Sequence, residues 1–227
     1  MTFRTKSLPL LILTGAMLAT PALARDGQGL QANDVLLRLR GIVIAPTGTS
    51  DGILPALPGD RLNVTTSVVP EVDITWMATK NIGFELIAAT AKHSAKGKQG
   101  VTQGIGNVVD TWVLPPTLTV QYHFNADGAV RPYVGAGVNY TIFWNEKATS
   151  GLAGALGPTN VHMNDSFGWA AQAGVDIDVS KRFFLNVDVK YIDMTSDVRL
   201  QTTAAGVQTV HARINPILVG VGFGLRL

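Results

Sequence analysis

Cysteine is absent from the 227 residues, which excludes a disulfide framework, a thiolate metal site and a cysteine nucleophile. Long apolar runs are also missing. Although 46% of the chain is hydrophobic, no stretch after residue 24 supplies the roughly 18 mainly apolar residues that a membrane-crossing helix needs. An excess of one charge is lacking too. Eighteen basic residues against sixteen acidic ones leave a net charge of +2, and no basic patch marks a nucleic-acid partner. His, Asp and Glu are scattered without the close spacing of a metal site, and no cofactor is called for.

What is present begins with an export signal. Arg4 and Lys6 precede an apolar stretch from Leu8 to Leu18, and Ala22-Leu23-Ala24 forms a small-residue cleavage site. Residues 1–24 are therefore expected to be a signal peptide, and residues 25–227 a single domain with zero net charge. An exported, Gly-rich chain without spanning helices leaves two classes: a soluble periplasmic β-protein or a transmembrane barrel.

Periodicity separates them. Leu118, Val120, Tyr122 and Phe124 alternate with Thr119, Gln121 and His123. Phe183, Leu185, Val187, Val189 and Tyr191 lie opposite Asn186, Asp188 and Lys190. Ile217, Val219, Val221, Phe223, Leu225 and Leu227 alternate with Leu218, Gly220, Gly222, Gly224 and Arg226. The whole chain read this way gives eight candidate strands, at 34–45, 64–79, 82–93, 112–124, 130–144, 166–179, 182–195 and 212–227. Most reach the roughly 9–11 residues that a tilted strand needs to cross the hydrocarbon layer, against about 5–6 in soluble proteins.

Short links at Lys80-Asn81, Asn125 to Ala129 and Ser180-Lys181 alternate with long ones at 46–63, 94–111, 145–165 and 196–211, the asymmetry of tight periplasmic turns and longer outer loops. Aromatics gather near strand ends, at Trp76, Trp112, Tyr122, Phe124, Tyr133, Tyr140, Trp144, Trp169, Phe183 and Tyr191, as an interfacial girdle requires. The fold class expected is all-β, an eight-stranded antiparallel up-and-down transmembrane β-barrel in a bacterial outer membrane. A soluble sandwich or lipocalin-like barrel would show the same alternation with its apolar face inward.

The run Leu114-Pro115-Pro116-Thr117-Leu118-Thr119-Val120-Gln121-Tyr122-His123-Phe124, followed by Arg131-Pro132-Tyr133-Val134-Gly135-Ala136-Gly137-Val138-Asn139-Tyr140, resembles the outer membrane protein W (OmpW) family. So do Ala170 to Asp176, Phe184 to Asp193 and Gly83 to Thr90. The resemblance implies an eight-stranded outer-membrane barrel with a narrow, largely apolar channel, associated with uptake of small hydrophobic molecules. Such barrels commonly finish in an aromatic that helps the assembly machinery recognise them, and Leu227 stands at that position here. The partners implied are outer-membrane lipids and lipopolysaccharide, the barrel-assembly machinery and a small hydrophobic ligand.

Alternation assigns the lumen. Arg38, Arg40, Glu71, Asp73, Glu85, Asp176, Asp178, Asp188, Lys190 and Arg226 are expected to point inward, mostly in the periplasmic half. In the outer half the inward positions are Ile42, Ile44, Ile87, Leu114, Phe143, Ile192, Met194 and Leu218. An eight-stranded interior is only wide enough for side chains, so the charges should pair into a floor beneath an apolar ligand chamber. Pro70, Pro115, Pro116 and Pro216 lie toward the outer parts of descending strands, where each removes a ladder donor and favours sideways release into the bilayer; a strand end or a bulge explains them equally.

The alternative function is a structural or adhesive barrel acting through its outer loops. Catalysis has little support: His93, His162 and His211 fall in expected loops, only His123 faces the lumen, and no lipid-facing Ser and His pair can be assembled. Asp51, Asp60 and Asp165 read as solvated loop carboxylates.

Overall fold

The computed structural model describes residues 29–227, so the expected signal peptide at 1–24 lies outside the described residues. In chain order the first elements are β1 (Val35–Pro46), β2 (Arg61–Val64), β3 (Ser67–Met77), β4 (Ile82–Ala89), β5 (Ala91–Gln99) and α1 (Thr102–Ile105). They are followed by β6 (Asn107–Leu114), β7 (Thr117–His123), β8 (Val130–Ala148), α2 (Ser150–Leu156) and β9 (Thr159–Met163). The last are β10 (Ser166–Asp178), β11 (Phe183–Ile192), β12 (Thr195–Thr202), β13 (Gly206–Arg213) and β14 (Pro216–Arg226).

Eight of these strands form a closed antiparallel barrel in the order β1-β3-β4-β7-β8-β10-β11-β14, with β14 pairing back onto β1 and β10 onto β8. Closure leaves no unpaired edge, the condition for a sheet to stand in lipid. The two faces settle which solvent surrounds it. Leu37, Leu39, Val72, Ile74, Leu86, Val120, Val134, Leu185, Val187 and Val219 stand on the outside, whereas Arg38, Arg40, Asp73, Glu85 and Asp188 are buried inside. A soluble barrel requires the reverse, because so large a continuous apolar surface would aggregate in water. Aromatic belts bound the apolar band. Trp76 stacks on Phe84 and Tyr122 meets Phe124 edge-on at the turn end, while Trp169 packs against Tyr191 at the loop end.

Three features depart from the alternation reading. Tyr133, expected in the girdle, is buried in the lumen, where its hydroxyl donates to Asp188 Oδ2 at 3.0 Å. It shares a face with Arg131, and the strand end at which it sits does not change that parity. The long links expected as loops are also mostly ordered. The β5–β6 hairpin continues the β4–β7 pair and joins β2 and the upper part of β8, while β12 and β13 form a second sheet with β9. Their alternation rests on small or polar residues such as Ala91, Ala95, Ser196 and Thr202, so it carries little hydrophobic signal. Finally, the expected strands 82–93, 112–124, 182–195 and 212–227 are each interrupted, at Thr90, Pro115-Pro116, Asp193-Met194 and Ile214-Asn215. Asn215 adopts φ +41°, a turn conformation that asparagine tolerates better than most residues.

Inward glycines on β14 make room for the largest lumen side chains. A Cβ on Gly224 would lie 2.1 Å from Phe184 Cζ, and that ring sits 5.5 Å from the Arg38 guanidinium and 5.8 Å from that of Arg131. Gly224→Val is therefore expected to destabilise the barrel by about 1–3 kcal/mol, the usual cost of overpacking. The check is a lower temperature for the loss of heat-modifiable migration on SDS gels.

Candidate functional site

The lumen is divided into three layers along the barrel axis. At the turn end Leu30, Leu36, Met77, Ala126 and Phe184 form a small apolar cluster, with the Leu30 amide donating to the Ala126 carbonyl at 2.7 Å. This lowest layer has no counterpart in the alternation pattern, since Leu30 and Ala126 come from outside the strands.

Above it lies an ionic layer. Arg38, 0% exposed, donates through Nη2 and Nε to both oxygens of Asp176 at 2.9 and 3.3 Å, and through Nη1 to Asp73 Oδ1 at 3.0 Å and Thr75 Oγ1 at 2.8 Å. Arg40 Nη2 stands 2.7 Å from Asp73 Oδ2 and 2.9 Å from Glu71 Oε1, and its Nη1 donates to Asn186 Oδ1 at 3.2 Å. Lys190 Nζ reaches both Glu71 oxygens at 3.3 Å and lies 3.8 Å from Asp188. Glu85 accepts from Thr119 Oγ1 at 2.9 Å and from Gln172 Nε2. Nearer the turns, Arg131 donates to Asp178 Oδ1 at 2.6 Å, and Arg226 donates to the carbonyls of Gly29 and Lys181. Charges this deep are tolerated only when paired and hydrogen-bonded, and such pairing fills the lower lumen with side chains. The alternation reading did not assign Arg131 and Tyr133 to the lumen, although counting in twos from Val130 places both inward; Asn186 lies on the inward face where alternation set it beside Asp188 and Lys190.

The uppermost layer is apolar and largest. Ile42, Ile44, Ile87, Phe143, Ile192, Met194 and Leu218 are all buried in one cluster with residues of the outer segments, including Leu62, Val109, Met163, Val198, Leu200 and Val210. All of the seven but Ile42 line a chamber whose bottom is the Glu71–Lys190 pair. Leu114 is the exception among the eight positions expected here. It is half-buried and faces away, while Val113 lines the chamber. The Pro115-Pro116 link spans two residues, so it preserves the phase of the strand: Thr117, Pro115 and Val113 stay inward.

Strand pairing is interrupted beside this chamber. The β4–β7 ladder ends at Ile87↔Thr117 and the β5–β6 ladder resumes at Ala91↔Val113. On the β8 side the proline link is held, with Pro116 O accepting from the Tyr140 amide at 3.0 Å and from Asn139 Nδ2 at 3.2 Å. The break therefore lies between the two arms of the hairpin. Ala89, Ala91 and Pro115 border it from inside the chamber. Pro216 marks the start of β14, whereas Pro70 is accommodated within β3, opposite Gly41.

Several expected loop residues are placed differently. His93 belongs to β5, is 6% exposed and lines the chamber. Its Nδ1 lies 2.8 Å from the Thr65 carbonyl and 3.2 Å from Ser67 Oγ. A Ser and His are thus adjacent, but Ser67 Oγ donates to the Lys92 carbonyl at 3.0 Å, and a ring nitrogen facing a carbonyl is itself the donor. That wiring does not activate a nucleophile. His211 pairs with Asp197 at 2.6 Å on the exposed face of the outer sheet. Asp60 is buried rather than solvated, accepting from the amides of Val101 and Thr102 at 3.2 and 2.7 Å and so tying the segment before β2 to α1. Asp51 does lie exposed, paired with Arg213 at 2.7 Å, and Asp165 accepts from Tyr140 Oη at 3.1 Å.

Comparison with known proteins gives consistent neighbours. The OmpW family profile matches residues 31–227. Outer membrane protein W of Escherichia coli K12 is 31% identical over 216 residues, covering 95% of this chain and 98% of that protein. The crystal structure of the outer membrane protein OprG from Pseudomonas aeruginosa superposes with a TM-score of 0.82 at 27% identity, covering 89% of this chain and 99% of that one. A shorter match, 32% identical over 113 residues and 48% of each chain, is to the dibenzothiophene metabolism operon protein PahQ of Pseudomonas aeruginosa.

Proposed function

The chain belongs to the OmpW family of outer-membrane β-barrels, and we propose that it takes up small hydrophobic molecules through the apolar upper chamber and releases them sideways into the bilayer. The observation that carries this reading is the combination of an apolar chamber, an ion-paired floor at Glu71 and Lys190, and an interrupted ladder at the chamber wall. A hydrophobic ligand gains by leaving water for such a wall. It cannot proceed through the ionic layer without separating buried charge pairs, which is strongly unfavourable. The interrupted hairpin faces lipid, where an apolar solute is equally at home. The name of PahQ agrees with the same substrate class, dibenzothiophene being an apolar polycyclic molecule.

The test is uptake of naphthalene by vesicles that carry the refolded full chain. Ala91→Trp, which fills the chamber beside the break, is expected to reduce protein-dependent uptake to the background of empty vesicles. Pro115→Ala combined with Pro116→Ala restores ladder donors and is expected to slow uptake while leaving binding intact. Unchanged uptake in the proline variant removes the lateral route, and unchanged uptake in Ala91→Trp removes the chamber.

A further inference from the structure

The chamber is apolar except for a few side chains, and each of these has at least one partner. Glu71 and Lys190 pair with each other, Ser50 Oγ accepts from the Leu62 amide at 2.8 Å, and Thr111 Oγ1 donates to backbone carbonyls. Thr117 Oγ1 donates to Pro115 O at 3.0 Å, and Arg213 pairs with Asp51. His93 differs. Its Nδ1 is committed to the Thr65 carbonyl, which fixes the proton on that nitrogen and leaves a lone pair on Nε2. Among the described residues Nε2 has no hydrogen-bond partner, although the residue is more than nine-tenths buried.

We propose that His93 Nε2 is the chamber's polar contact, accepting a hydrogen bond from the hydroxyl or N–H group of an otherwise apolar molecule. The assignment rests on the chamber being the ligand site. The imidazole is pre-positioned from behind: Thr65 O and Ser67 Oγ hold one edge, and Thr65 Oγ1 accepts from the Ser94 amide at 3.1 Å to fix the strand that carries it. In front, Ala91 and Ala95 occupy the same inward face two residues to either side, so small side chains leave the ring open to the chamber. Burial holds the imidazole below its ordinary pKa, only partly offset by the Thr65 bond, so near neutral pH it remains an acceptor on that nitrogen. A lone, oriented acceptor in an apolar wall discriminates between ligands of equal size by whether they carry a donor, because only a donor-bearing ligand satisfies it.

The experiment compares 1-hexanol with its isomer methyl pentyl ether, which has the same atoms but no donor. Binding to the full chain in phosphatidylcholine vesicles is measured by ligand-observed NMR, with protein-free vesicles as the partition control. Wild type is expected to bind the alcohol about tenfold more tightly, the scale of one neutral hydrogen bond in a buried site. His93→Leu should bring the ratio close to one while ether binding persists, and His93→Gln, which keeps an acceptor, should retain part of the preference. Equal affinities in wild type, or a preference that survives in His93→Leu, overturns the assignment and leaves the chamber standing. Failure of wild type to bind either molecule overturns both.

Discussion

Arg38→Leu is expected to lower the stability of the folded barrel by about 3–5 kcal/mol, the range for removing one partner from a buried ion network. The loss is large because Arg38 is held by both Asp73 and Asp176 and also stands 3.6 Å from Glu85, all with fully buried side chains. Asp73 would retain Arg40, but Asp176 would keep only Asn186 and the distant His123. Arg38→Lys should recover little, since one ammonium cannot reproduce the two-pronged contact with Asp176 while also reaching Asp73. Adding Asp176→Leu to Arg38→Leu should restore part of the loss, because the carboxylate left unpaired is then gone. Urea titration of folding into lipid vesicles measures all three variants. A loss below about 1 kcal/mol for Arg38→Leu, the scale of an exposed pair, would contradict the ionic layer as described.

The second large effect concerns ligand affinity. Ile44 and Leu218 are direct partners across the β1–β14 ladder, both inward and both in the chamber wall. Changing both to Asp sets two carboxyl groups side by side in that wall, where the neighbouring cation, Lys190 opposite Leu218 on β11, is already committed to Glu71. Each must draw in water or be left unsatisfied against an apolar ligand, at about 1–3 kcal/mol per group. Affinity for naphthalene is therefore expected to fall about 100-fold, since each 1.4 kcal/mol is a factor of ten. Lys190 joins this wall to the ionic layer, so heat-modifiable migration serves as the control for folding. Undiminished affinity in a folded variant would move the ligand site out of the chamber.

The layering of the lumen explains why one barrel carries both demands. Its lower half is an ion-paired polar plug in which Arg40, Tyr133, Asn186 and Asp188 form a continuous chain of contacts. Its upper half lacks such a network, and the wall there includes β5, β12 and β13, whose strands extend the chamber beyond the eight-stranded ring. The residues closing the chamber therefore come from segments that a hydropathy pattern reads as loops.

Period-two alternation is a local property, because successive side chains on a strand point to opposite faces whatever the strand pairs with. It was sufficient to place Leu185, Val187 and Val189 against lipid, to send Arg38, Arg40 and Asp188 inward, and to bring seven of the eight expected apolar positions into one cluster. The sequence by itself thus determined the barrel, its inside-out polarity and the change from charged to apolar along its axis. Pairing partners are not local. Arg38 meets Asp176 across 138 residues and Lys190 meets Glu71 across 119, contacts set by the tilt and stagger that close the ring. The same closure folded His93 from an expected loop into the chamber wall and stood Tyr133 beside Asp188. Which face a residue takes is decided by its neighbours along the strand; what it touches on that face is decided only when distant strands are brought around to meet it.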